Sequence, residues 1–296
     1  MSGNDEAISP VIAVMLILVV VVTFQAVYNT TYLPSLKEQA EIEHIGEVEA
    51  AFLRFASSVE NAVSLKRDLQ LKESMPLGGG DILLNAMKSG GALEVAPDDR
   101  IFEVTCNGSF FPANLVRFSY TPVGNFWEDQ GYSWRYGYVN VTKGELATPL
   151  QHCTMADVVA DAQTNPGLAR ILIGFEDRGG TSCEEIHVTV VNFSASDRKG
   201  ISGNGGGTLE LAAATEEFFI PVASDTLAIR IEQDLHLPCN TSILERCETA
   251  LSAMAARYTN VEHCIITPGS GYDEVSVALD NTTVVVHEVK ITVSAY

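Results

Sequence analysis

Basic residues are scarce in this chain. Its 296 residues hold 18 Lys and Arg against 38 Asp and Glu, a formal charge of −20. That balance excludes nucleic acid as a partner, because phosphates need cations to neutralise them. It suits a surface that stays soluble, including in a salty medium that screens repulsion between acids. No Lys or Arg occurs before Lys37. A secretory signal of the ordinary kind, with its basic start, is therefore absent. No two of the six cysteines form a CxxC pair, so neither a zinc ribbon nor a thioredoxin-type site is expected.

Catalytic signatures are missing too. There is no HExxH, no P-loop and no EF-hand loop. Gly269-Ser270-Gly271 lacks the flanking spacing of a nucleophile elbow. Gly203-Asn204-Gly205-Gly206-Gly207 lacks the strand-to-helix setting of a dinucleotide site and reads as a hairpin turn. The six histidines, His44, His152, His187, His236, His263 and His287, are not regularly spaced, although His152 and His263 each adjoin a cysteine. Acid pairs such as Asp98-Asp99, Glu184-Glu185 and Glu216-Glu217 point to opposite faces if they sit in strands, which makes poor calcium sites. No catalytic residue, metal or cofactor is expected, and the chain reads as a non-enzyme.

What is present begins at the N-terminus. Val11 to Tyr28 is an uncharged, nearly all apolar run. As a helix its 18 residues reach about 27 Å, close to the hydrocarbon thickness of a bilayer. No small-residue cleavage site follows it, so the run is expected to stay with the protein as a single-pass anchor. Ser9 is the expected N-cap, with Pro10 in the first turn, where its missing N–H is harmless. Tyr28 and Tyr32 stand where interfacial aromatics sit.

Beyond Pro34 the period continues. Ile45, Val48, Phe52, Phe55, Val59 and Ala62 are spaced 3, 4, 3, 4, 3, a seam along one helix face. Acids fill the other positions. The spacing predicts an amphipathic stem from Ser35 to about Leu71, ended by Gly78-Gly79-Gly80, with a kink at Pro34. Its seam packs either on the chain's own head or on stems of neighbouring copies.

After Gly80 the period becomes two. Ile186, Val188 and Val190 alternate with polar residues, as do Leu227, Ile229 and Ile231, Val275, Val277 and Leu279, and Val289, Ile291 and Val293. Further strands are expected at 92–96, 101–106, 115–120, 132–141, 168–175, 207–213 and 216–222. Many short strands indicate mostly antiparallel sheets in a sandwich-like head, with one wet face each. Two short helices are expected, Thr154–Gln163 and Ser242–Tyr258. The second carries a capping box at Ser242 and Glu245. The fold class is α+β.

Six cysteines, Cys106, Cys153, Cys183, Cys239, Cys247 and Cys264, all follow the anchor and fit up to three disulfides in an oxidising exterior. Helix and strand lengths bring Cys264 back beside Cys247, with Cys239 as the rival partner for either. Six Asn-x-Ser/Thr sequons, at Asn29, Asn107, Asn140, Asn192, Asn240 and Asn281, place residues beyond the anchor outside the cell as a glycosylated body. The segment 125–142 holds Phe126, Trp127, Tyr132, Trp134, Tyr136 and Tyr138. It is either a recognition patch for a glycan or partner, or a strand whose alternate aromatics fill the core.

The layout of short polar leader, apolar helix, amphipathic continuation and β-rich head resembles that of type IV pilin-like proteins. Glu6-Ala7-Ile8-Ser9 looks like the cleavage pattern of an archaeal class III signal peptide, and Ile8-Ser9-Pro10-Val11-Ile12 is similar to the start of many archaeal pilins. The resemblance covers about residues 4–65. Ile12 stands where bacterial pilins carry an acid. The resemblance implies cleavage between Ala7 and Ile8 by a prepilin peptidase. Residues 1–7 would be leader, 8–30 the transmembrane or filament-core helix, 31–74 the stem and 75–296 the extracellular head. It further implies a structural protein of the cell surface or a surface filament. Copies of itself or other pilin-like subunits, an assembly ATPase and a membrane platform would be its partners. The alternative is a solitary tethered module for binding or adhesion.

Overall fold

A computed structural model of the chain describes residues 5–79, 89–125, 129–135, 137–144, 146–150, 173–177, 185–231, 264–267 and 274–296. One helical rod opens it: α1 (Asp5–Val27), a π-helical turn (Tyr28–Tyr32) and α2 (Leu33–Leu65). Among the described residues eleven strands follow. They are β1 (Leu69–Pro76), β2 (Gly90–Cys106), β3 (Ser109–Val123), β4 (Gly131–Arg135), β5 (Tyr138–Lys143) and β6 (Leu146–Pro149), then β7 (Ile173–Asp177), β8 (Glu185–Gly203), β9 (Gly206–Ile231), β10 (Cys264–Thr267) and β11 (Glu274–Ala295). A long N-terminal helix followed by a mostly antiparallel, strand-rich head is an α+β arrangement. The two short helices expected at 154–163 and 242–258 lie outside the described residues.

The strands join in the order β1-β9-β11-β8-β2-β3-β4-β5-β6, with β7 beside β8 and β10 beside β11. β2 also reaches back to β9. Its first half pairs with β8, Gly91 opposite Gly203, and its second half pairs with β9, Phe102 opposite Ile231. The register shifts between Pro97 and Phe102, where the strand turns the corner. Proline has no N–H for the ladder, and such bulges are where strands switch sheets. The circuit β9–β11–β8–β2–β9 is therefore closed by hydrogen bonds. One closed network replaces the two separate layers expected of a sandwich.

Several strands are longer than their sequence signals. The segments read as 207–213, 216–222 and 227–231 are one strand, β9, and β11 joins 275–279 to 289–293. The 132–141 strand is instead a hairpin: Arg135 pairs with Tyr138 around a two-residue turn, and Gly137 takes a φ of +84°. Such a φ favours glycine, which has no Cβ to clash. The Gly203–Gly207 run is not a hairpin turn, since Gly203 pairs with β2 and Gly206 with β1. The β11–β8 pair is parallel, Thr283 opposite Glu185 through Val293 opposite Ala195. Ile186 to Val191 is buried at every position, not on one face as the alternation predicts. Parallel pairs are found covered on both sides.

Candidate functional site: the apolar helix and its junction with the head

The first feature that asks for a function is α1. Val11, Ile12, Val14, Met15 and Leu16 through Val22 are each more than half exposed, as is Phe24 at 71%. None of this apolar stretch is buried by the rest of the chain, and it is long and apolar enough to cross a membrane. Three polar side chains of the rod are satisfied along the rod itself. Thr23 Oγ1 donates to the Val19 carbonyl at 2.7 Å, Asn29 Nδ2 to Gln25 at 2.9 Å and Thr30 Oγ1 to Ala26 at 2.8 Å. Internal satisfaction is what a nonpolar medium demands of a polar group. Phe24, Tyr28 and Tyr32 form a ladder, with ring centroids 6.4 and 5.7 Å apart.

The helix start differs from expectation. α1 runs from Asp5, so Ser9 lies within it rather than capping it, and Pro10 is an interior residue. Proline there removes one helix hydrogen bond and crowds the preceding turn, at a cost of about 3 kcal/mol. The sequence pattern Glu6-Ala7-Ile8-Ser9 thus lies on helical backbone, four residues spanning about 6 Å.

At Pro34 the rod passes through the π turn. The Leu33 N–H bonds to the Tyr28 carbonyl, five residues back. Pro34 has no N–H to offer, and the wider turn gives its ring room against the preceding carbonyls. Below it α2 begins with Pro34 in its first turn. α2 ends at Leu65, not near Leu71. Lys66 adopts a left-handed conformation, φ 45° and ψ 46°, which stops the helix, and 69–76 is β1. The glycine run is therefore not the stop.

α2 buries its seam in its own head. Val48, Phe52 and Ala62 are fully buried, Phe55 and Val59 are 1% exposed and Ile45 is 7%. Phe52 touches Phe118 on β3 and Tyr132 on β4, with centroids 5.6 and 6.0 Å away. Phe55 meets Phe118 edge-on at 5.0 Å. Trp134 stacks on Phe118 at 5.0 Å and touches Phe193 on β8. The aromatics Tyr132 and Trp134 are thus core, 0% and 1% exposed. Tyr138 is half-buried, and Phe126, Trp127 and Tyr136 lie outside the described residues. Polar ties fasten the same contact. Tyr132 donates to Glu49 at 2.8 Å, and Arg54 pairs with Glu73 of β1 at 2.6 Å.

Where the stem enters the head sits a histidine that its sequence position did not single out. His44 is 4% exposed, with Nε2 2.9 Å from the Tyr120 hydroxyl, which donates in turn to the Leu77 carbonyl at 3.0 Å. Nε2–H is thus the donor. Nδ1 is buried without a hydrogen-bond partner. Burial holds the His44 pKa below the ordinary histidine value, against a smaller opposing effect of Glu47. A side chain at Gly91 would collide with the Tyr120 ring, and one at Gly79 would sit 2.7 Å from His44 Cβ. Both glycines are needed for this close fit.

The sequons and cysteines divide. Asn107 and Asn281 are exposed and left-handed (φ 46° and 51°), and Asn29 is exposed on the rod. Asn140 and Asn192 are half-buried. Asn192 is engaged twice, donating to Glu288 at 3.1 Å and accepting from Asn114 at 3.0 Å. Asn240 lies outside the described residues. Cys106 is a buried free thiol and forms no disulfide; burial pushes its pKa up to about 11. Cys264 opens β10, while Cys153, Cys183, Cys239 and Cys247 lie outside the described residues. Among the described residues no group of three His, Cys, Asp or Glu side chains could hold a metal ion. No protein-family model, curated protein or solved structure matches the chain.

Proposed function

We propose that this is a membrane-anchored structural protein of the cell surface, of the archaeal type IV pilin-like class. One observation carries the reading: a single rod whose first half is apolar and bare and whose second half is buried in the head. A soluble protein has no use for the first half, and water penalises it at about 25 cal/mol per Å² of apolar surface. Cleavage between Ala7 and Ile8 relieves a local fault as well. It makes Pro10 the third residue of the mature helix, where no partner for its missing N–H exists anyway. A prepilin peptidase is the partner this reading needs first. The head then stands outside the cell, carrying glycans at exposed sequons.

N-terminal mass spectrometry of the protein from its native membrane tests the proposal. The expected mature start is Ile8. A start beyond Pro34 overturns the anchor, and an intact Met1 overturns the processing.

A second reading has its own observation. The stem seam is already used by the head, so the exposed apolar surface that the rod leaves for neighbouring copies lies mainly in residues 10–32. That favours a solitary tether with a binding or adhesive head over a filament subunit built with an assembly ATPase and platform. Crosslinking in intact cells separates them, since a filament gives ladders through α1 and a tether gives monomers.

A further inference from the structure

Asn192, Glu288 and Lys290 meet on the face of the β8–β11 pair that is reached by Asn114 of β3. Lys290 stands opposite Asn192 in the parallel register, and Glu288, two residues earlier on β11, points to the same face. One carboxylate touches both neighbours. Glu288 Oε1 accepts from Asn192 Nδ2 at 3.1 Å, and its Oε2 lies 3.5 Å from Lys290 Nζ. The oxygen of the Asn192 carboxamide is held as well. It accepts from the Asn114 side-chain amide at 3.0 Å and from the Asn114 backbone N–H at 3.4 Å. Only 9% of the Glu288 side chain is exposed.

These are the parts of an acyl transfer. Two donors on Oδ1 polarise the carboxamide and stand ready for charge on that oxygen. A primary amine faces it from the next strand. A buried carboxylate touches both the amine and the nitrogen that would leave, and so can move a proton between them. We propose that the folded chain joins Lys290 to Asn192 through an amide bond between their side chains, with Glu288 carrying the proton. The four methylenes of Lys290 reach beyond the strand spacing of about 4.8 Å, so the amine meets the carboxamide from its own strand.

The step balances without an oxidant, a reductant or a cofactor. The Lys290 ammonium gives one proton to Glu288 Oε2, and its freed electron pair attacks Asn192 Cγ. The charge that forms on Oδ1 meets the two Asn114 donors. Glu288 passes its proton to Nδ2, the Cγ–Nδ2 bond breaks towards nitrogen, and Oδ1 becomes a carbonyl again. Lys290 Nζ keeps one of its three hydrogens, and the other two depart with Nδ2 as ammonium. Glu216 of β9 is the competing partner. It lies 2.7 Å from Nζ, and its hydrogen bond is the main reason that the Lys290 pKa is raised. Lys290 therefore has to turn from Glu216 to Glu288 before it attacks. The bond forms once per chain, and it uses up the Asn192 nitrogen to which a glycan would attach.

Peptide mapping of the full chain tests this. Protein from detergent micelles is unfolded, reduced and alkylated before trypsin, so that no disulfide survives to join peptides. The expected result is one species that contains the Asn192 and Lys290 peptides, lighter by one ammonia than their sum, with no cleavage after Lys290 and fragment ions that place the link at these two residues. Separate peptides with cleavage after Lys290 overturn the proposal. So does an ammonia loss confined to the Asn192 peptide, which marks a cyclised asparagine. Two variants form the second arm. Lys290→Arg keeps a cation beside Glu216 and Glu288 but removes the amine. Glu288→Gln keeps an acceptor oxygen for Asn192 but cannot carry the proton. Both should give separate peptides, and a joined pair in either one refutes the proposal. The parent map decides by itself whether the bond exists, so a variant that fails to fold does not protect the idea.

Discussion

Phe52→Ala tests whether the stem belongs to the head. The ring is fully buried and contacts Phe118 and Tyr132. Phe→Ala in a packed core costs about 3–5 kcal/mol. Aromatic pairs at such centroid distances are worth about 0.5–1.5 kcal/mol each beyond burial, which puts this site in the upper half of that range. For a domain of roughly 150–250 residues each kcal/mol shifts the midpoint by about 2–4 °C, so the variant should melt about 8–20 °C lower. The assay is thermal unfolding of the full chain in detergent micelles, followed by near-ultraviolet circular dichroism from Tyr120, Tyr132 and Trp134. Glu43→Ala, on the exposed side of α2, should stay within about 0.5 kcal/mol of the parent. Leu18→Ala should not move the transition, because Leu18 is exposed on a rod segment that the head does not cover. A loss below about 1 kcal/mol, or one that deepens with protein concentration, refutes the reasoning, since the seam would then serve a neighbouring copy.

Three further outcomes follow from single residues. His44 has its pKa lowered mainly by burial, so the folded chain resists protonation that the unfolded chain accepts. Its contribution to stability is intact above the ordinary value of about 6.5 and is lost as pH falls through the lower folded value; the acid limb of the melting curve should be shallower in His44→Gln, and parallel limbs contradict this. Cys106, with its pKa pushed up to about 11, holds no thiolate at neutral pH. It should resist iodoacetamide in the native chain and react after denaturation, and rapid native labelling contradicts its burial. Glycopeptide mapping should find Asn107 and Asn281 modified and Asn192 bare, because both ends of the Asn192 amide are in use.

The helical part of the fold is legible in the sequence because burial on a helix repeats every three or four residues. Ile45 to Ala62 carries that repeat without a break, and all six side chains are buried, with Ala51 and Val63 beside them. Strand positions are legible for the same kind of reason, but strand continuity is not. Along β11 burial alternates at 275, 277 and 279, resumes at 282 and is continuous from 284 to 289. Asn281, left-handed at φ 51°, absorbs the change of parity, and in sequence that looks like the end of a strand. The break in β2 at Pro97 has the same appearance. One local signal was available: Asn107-Gly108, with φ of 46° and 74°, is the two-residue turn that joins Cys106 to Ser109. The parallel pairing of β8 with β11 leaves little trace, because 186–190 reads as an alternation and only Val284 to Val286 is a continuous apolar run. The contact between Asn192 and Glu288 leaves none. Its members are 96 residues apart and meet through strand register alone.

The composition of the bare rod bears on whether copies of it associate. Residues 11–28 hold twelve Val, Ile, Leu and Phe. At about 0.3–0.6 kcal/mol each for insertion, they favour the bilayer by roughly 4–7 kcal/mol before Thr23 and Gln25 are counted. Neighbouring helices offer little beyond this, because lipid tails are as apolar as valine. Close helix–helix packing in lipid draws on small residues at fixed spacing, yet this stretch contains no glycine and only Ala13 and Ala26 as alanines. Its valines are β-branched and hold the partner backbone away. Moving the rod from lipid into a filament core therefore needs work from outside the helix, from contacts between heads or from an energy-consuming assembly machine. Without either, the same sequence remains a tether. Replacing Val19 and Val22 with larger Leu should leave a tether unaffected and disturb a packed filament core, so surface retention with loss of crosslinked ladders assigns the rod to a filament, and retention of both assigns the ladders to the heads.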